Sequence, residues 1–168
     1  MKLIDPYIME FDRESATTRK LLERVPDGKL DWAPHPKSMS LGKLAMHVAT
    51  LPEWTKSLLG DGFDAAAAPP DPSRAVPERA AAIVERFDKV VADAKAALAQ
   101  IDDAKAMGGW SLSMGSKTLF TMPRVAVVRS FILSHVIHHR GQLSVYLRLL
   151  DVPLPPIYGP TADENPFA

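Results

Sequence analysis

Three of the chain's five histidines fall in one short stretch, Ser134-His135-Val136-Ile137-His138-His139-Arg140-Gly141-Gln142-Leu143. If that stretch is helical, His135 and His139 are four positions apart and lie one above the other on a single face. Two imidazoles placed so can grip one metal ion, with His138 as the competing candidate. A catalytic metal centre commonly has three protein ligands and a position left for water or substrate. His47 is the other histidine inside a helical pattern, at the edge of an apolar stripe between Leu44 and Leu51. The expectation is a His47/His135/His139 site between two helices, in the interior where helical bundles hold metals. Neutral imidazoles suit zinc, nickel, iron or copper, and ligand type alone does not choose among them. Water at such an ion is acidified toward a pKa of ~7.

Other residues stand within reach of this face. Gln142 follows His139 by three and can orient an imidazole or serve as a packing or interface contact. Trp54, seven after His47, and Tyr146, seven after His139, read either as core or as a platform for substrate. Arg140 and Arg148 read as solvated or interfacial ion pairs, and His35, in a proline-rich loop, as a surface residue. The chain has no cysteine, which excludes disulfides, thiolate ligands and cysteine nucleophiles. It shows no glycine-rich phosphate loop, no Gly-x-Ser-x-Gly elbow and no dinucleotide fingerprint. The carboxylates show no comparable paired arrangement in a helix core.

The 168 residues are most simply one domain, 1–168, able to bury a core without staples. Twenty basic residues balance twenty acidic ones, so charge makes no case for nucleic acid. No apolar run approaches the ~18–20 residues of a membrane span, and the first residues do not form a signal peptide. These features lead us to expect a cytoplasmic protein with neither nucleic-acid nor membrane partners.

The histidines must be positioned by helices. Apolar residues recur at helical spacing over about 5–25, with Asp5 as cap and Pro6 in the first turn. A second helix is expected over about 40–59, capped by Ser40 and bent where Pro52 lacks an amide hydrogen. Residues 60–76 read as a proline- and alanine-rich linker, partly mobile. Pro77 opens a third helix to about 101, with Ile83, Phe87, Val90, Ala94 and Leu98 in one stripe. Between Met107 and Met122 the rhythm becomes alternating around Gly115-Ser116, which predicts a short hairpin. Thr121 is expected to cap the last helix, which runs to about Leu150 and is apolar over much of its circumference. Burial on two sides follows, one side in the core and one against a second subunit. The proline-rich tail from Val152 should lie along the surface, held by Ile157 and Tyr158. Four amphipathic helices and one irregular insertion predict a four-helix bundle.

The run from His135 through His139-Arg140-Gly141-Gln142-Leu143 to Asp151-Val152-Pro153-Leu154-Pro155 closely resembles the C-terminal signature of the DinB (damage-inducible) family. Leu41-Gly42-Lys43-Leu44-Ala45-Met46-His47-Val48-Ala49 resembles its second-helix histidine motif. The stretch 109–123 and Ile157-Tyr158-Gly159-Pro160 extend the likeness over nearly the whole chain. That superfamily also embraces YfiT-like metal-dependent hydrolases. The resemblance implies an all-α, up-down-down-up four-helix bundle, commonly a homodimer, with the short hairpin inserted before the last helix. It also implies a metal triad at His47, His135 and His139. Relatives include transferases that use low-molecular-weight thiols and a maleylpyruvate isomerase.

The resulting expectation is a metal-dependent enzyme. A divalent transition metal, zinc or nickel ahead of iron, would activate water or a low-molecular-weight thiol for hydrolysis or S-transfer on a small substrate. The alternative is a non-catalytic metal-binding stress-response or ligand-binding bundle. A nucleic-acid-binding module is the third reading, and neutral charge speaks against it.

Overall fold

A computed structural model describes residues 1–70, 75 and 77–167. The helical elements are α1 (Asp5–Leu22), α2 (Leu41–Thr50), α3 (Ala80–Ala99), α4 (Asp103–Met107), α5 (Arg124–Ala126) and α6 (Ser134–Leu149). A 3-10 segment, Leu51–Leu59, continues α2, and a π-helical segment, Val127–Leu133, joins α5 to α6. The strands are β1 (Gly62–Asp64), β2 (Gly109–Met114) and β3 (Lys117–Pro123). The expectation of an all-α chain is therefore corrected: the protein is helix-rich with a small three-stranded sheet.

Ion pairs between helices record their directions. Asp12 pairs with Lys95 and Arg19 with Asp88, so α1 and α3 run antiparallel. Glu53 pairs with Arg86 and Lys56 with Asp93, so the α2 extension runs parallel to α3. Glu10 pairs with Arg129 and Glu14 with Arg140, so α1 runs parallel to the last helix. Most of these pairs are exposed and contribute little individually. The packing itself comes from two apolar clusters, one around Leu21, Leu44, Val48, Phe87, Leu143 and Leu147. The other gathers Phe11, Leu58, Leu98, Trp110, Val128 and Ile132.

Several helix ends differ from expectation for local reasons. Asp5 is not the cap of α1; Ile4 holds that place, and the Asp5 carboxylate accepts the Lys2 amide at 2.7 Å. The helix ends at Leu22 because the Arg24 and Val25 amides turn to carbonyls three residues back, tightening the chain before Pro26. Ser40 caps α2 as expected, accepting from the Lys43 amide at 3.3 Å. Beyond Thr50 the proline-containing segment tightens to 3-10 form, and Pro52, Thr55 and Leu58 are buried at spacing three. That spacing matches three residues per turn. Pro77 does not open α3, which begins at Ala80, where the Asp27 carboxylate receives the Ala80 amide at 2.6 Å. Thr121 lies in β3 with its hydroxyl 2.7 Å from that of Ser111, so it does not cap the last helix. Of the expected linker, residues 71–74 and 76 lie outside the described residues.

The hairpin forms where alternation predicted it, around Gly115 at φ +59°. Its third strand was not foreseen. β1 pairs parallel with β2, and a Cβ on Gly62 would sit 2.5 Å from the Ser111 carbonyl oxygen, so only glycine permits that approach. Arg124 anchors the sheet to the last helix from a buried position. Its guanidinium donates to the carbonyls of Leu58 at 2.8 Å, Gly109 at 3.0 Å and Gly60 at 2.6 Å, and pairs with Asp61. Val152, Leu154 and Ile157 of the tail pack on the core, as expected of a segment lying along the surface.

Candidate metal centre

The three histidines named from their spacing meet. His47 projects from α2, His135 and His139 from successive turns of α6, and each is half-buried. One potential ligand atom from each lies within 4.8 Å of the other two. The ring centroids are 4.5 Å apart for His47 and His139, 5.4 Å for His47 and His135, and 4.7 Å for His135 and His139.

The environment keeps the two α6 rings in the form a metal requires. Burial, reinforced by the neighbouring imidazoles, pushes His135 down to about 4. Burial also lowers His139, partly opposed by its hydrogen bond to Gln142. An imidazole that resists protonation keeps its lone pair for a ligand at neutral pH. Nδ1 of His139 lies 2.7 Å from Oε1 of Gln142. An amide oxygen only accepts, so His139 carries its proton on Nδ1 and presents an unprotonated Nε2. The donor set thus fits a divalent transition metal.

The remaining candidates separate. His138 is exposed, with its ring centroid 4.8 Å from that of His139, outside the cluster of three. Trp54 is half-buried and packs edge-on to Phe131 with ring centroids 5.2 Å apart, and Phe131 in turn lies 5.9 Å from His135. Tyr146 packs edge-on to Trp32 at 5.7 Å, in the first core cluster. His35 is exposed and accepts the Lys37 amide at Nδ1. Arg148 forms the exposed ion pair expected of it, with Asp163.

Arg140 does not. It is 1% exposed and lies against α1, where Nη2 donates to Glu14 at 2.7 Å and to the Tyr158 hydroxyl at 2.8 Å. Its Nη1 donates to the Glu14 carbonyl and the Thr18 hydroxyl. The Tyr158 hydroxyl donates to Glu14 at 2.9 Å, closing the network while its ring stays largely exposed. Burial and the Glu14 carboxylate raise the Tyr158 phenol above its usual range. The partners are 126 positions apart in the chain, which no local pattern signals. Phe63, Phe120 and Phe131 join Trp54 in ring contacts that reach His135. Phe63 falls in the stretch read as linker, Phe120 in the hairpin alternation and Phe131 in the apolar pattern of the last helix, so none signals a place beside the histidines.

The family model of the DinB superfamily matches residues 10–143, a span that contains all three histidines. This chain belongs to the DinB superfamily. It is 26% identical to the uncharacterized protein YrdA of Bacillus subtilis over 163 residues, 96% of this chain and 91% of YrdA. Its fold is similar to a DinB-like protein from Bacillus cereus, with a TM-score of 0.72 and 24% identity, covering 90% of this chain and 95% of that one. The DinB-like protein YjoA from B. subtilis gives a TM-score of 0.70 at 18% identity, covering 92% and 98%. YfiT from B. subtilis gives 0.65 at 15% identity, covering 89% and 88%. YfiT is described as a probable metal-dependent hydrolase with an unusual four-helix bundle topology. At these identities the solved structures show the fold alone. Among the described residues no helix is long and apolar enough to cross a membrane.

Proposed function

We propose that this DinB superfamily member is a metal-dependent enzyme in which His47, His135 and His139 hold a divalent transition metal. The observation that carries the reading is the convergence of three half-buried imidazoles from two facing helices. The description of YfiT as a probable metal-dependent hydrolase supports the same chemistry in a similar fold. A bound ion would supply Lewis acidity to a water or a low-molecular-weight thiol, for hydrolysis or S-transfer on a small substrate. Zinc and nickel suit the all-nitrogen donor set, with iron behind them.

The chain's own residues do the positioning. His139 is held by Gln142, and burial keeps His135 unprotonated. The stem of α6 is tied to α1 through Arg140 and Glu14, which fixes the turn carrying His139.

The test is turnover of ester and thiol-acceptor substrates by protein equilibrated with zinc, nickel or iron. The reading expects activity that chelation removes and that His47→Ala abolishes with the fold intact. A fully loaded, folded protein that turns over no substrate of either kind would favour the non-catalytic metal-binding bundle instead.

Val145 and Leu149, one turn apart on α6, are 57% and 59% exposed. These apolar positions on the last helix support a homodimer as part of the proposal.

A further inference from the structure

Beside the three histidines stands a wall of aromatic rings gathered from separate elements. Phe131 comes from the π-helical segment, Trp54 from the 3-10 segment and Phe63 from β1. The rings run in unbroken contact: His135 to Phe131 at 5.9 Å, Phe131 to Trp54 at 5.2 Å, and Trp54 to Phe63 at 4.6 Å. Each of the three is only half-buried. They cover the second apolar cluster on one side and keep apolar area in water on the other.

Irregular backbone makes this wall. π-helical turns concentrate at functional sites, and here the π segment ends two residues before the first α6 histidine and carries Phe131. The parallel pairing that Gly62 permits is what brings Phe63 to the same place.

The charge at the histidines adds the second half. Imidazole ligands bring no negative charge to a metal, unlike carboxylates or thiolates, so a divalent ion held there keeps its full charge at its open positions. An anionic donor is the complementary ligand. We infer that the site takes a small ligand with an anionic head at the histidine-held metal and a flat aromatic or apolar body against Phe131, Trp54 and Phe63. Stacking on aromatic faces would supply selectivity for the body, and the head would be common to all ligands of the class. This inference rests on the proposed metal centre and names its substrate class.

Phenylacetate and acetate serve as probes with the same head and different bodies. They are titrated into zinc-loaded protein by calorimetry, and the Trp54 indole signal is followed by NMR, assigned with Trp54→Phe. The metal content of every sample is measured separately. Phenylacetate should bind at least tenfold tighter than acetate and shift the Trp54 signal. Phe131→Leu, which keeps an apolar side chain of similar helix propensity, should weaken phenylacetate at least fivefold while leaving acetate binding and zinc content unchanged. Equal affinity for the two probes, an unmoved Trp54 signal, or equal weakening of both by Phe131→Leu would overturn the inference with the metal centre intact. Wild-type protein without zinc would overturn the metal centre. Phenylacetate shifting Trp54 in that sample would contradict the two-part site as well.

Discussion

His139 gives its Nδ1 proton to the side-chain oxygen of Gln142, 2.7 Å away on the next turn of the same helix. One local hydrogen bond thus selects the tautomer of a candidate ligand and fixes its ring. Partners of this kind are typically worth 10–100-fold in metal affinity. Gln142→Leu should therefore weaken zinc binding by about 10–100-fold in competition with a chromogenic chelator, with little change in melting temperature because Gln142 is exposed. Gln142→Glu keeps an acceptor and should retain affinity. Unchanged affinity in the leucine variant would mean that the bond does no orienting.

The Arg140–Glu14 pair is buried on both sides, at 1% and 3% exposure. Removing one member of such a pair strands the other charge, at a cost of about 3–5 kcal/mol. Arg140→Met should lower unfolding stability in urea by that amount. Tyr158→Phe, which loses hydroxyl bonds to both partners, should cost about 1–2 kcal/mol. Combining Glu14→Leu with Arg140→Met removes both charges and should recover most of the loss. A double variant no better than the single one would contradict this account.

Metal-free protein should lose stability in a defined pH window. An exposed imidazole titrates near 6.5, whereas burial pushes His135 down to about 4. The folded state therefore binds fewer protons than the unfolded state between those values, and stability falls as pH drops through them. Melting temperatures of apo wild type and apo His135→Gln, followed from pH 7.5 to pH 4, should shift in favour of the variant as pH falls. Parallel curves would refute the assignment.

The proposed homodimer predicts twice the monomer mass by light scattering at micromolar concentration. Val145→Glu combined with Leu149→Lys should reduce it to the monomer without unfolding the protein. A monomeric wild type would remove that part of the proposal.

The histidine cluster was legible because its signals are local or nearly so. A four-residue spacing puts His135 and His139 on one face, and the apolar stripe around His47 places it at the core edge. The hairpin was legible from its alternation. What escaped was non-local or depended on small departures from regular geometry. β1 is three residues in an otherwise small-residue stretch, and its pairing depends on Gly62 meeting Ser111. The 3-10 and π segments carry apolar residues that fit an α-helical pattern almost as well. Arg140 reads from the sequence as a solvated or interfacial ion pair, and its burial escapes that reading because its partner, Glu14, is on the first helix.

The most direct test of the central claim is the metal content of purified protein by elemental analysis, for wild type and for His139→Ala. Wild type equilibrated with zinc or nickel and desalted should hold close to one ion per chain. His139→Ala, folded by circular dichroism, should hold almost none. Equal metal in the two proteins, or none in either, would contradict the account.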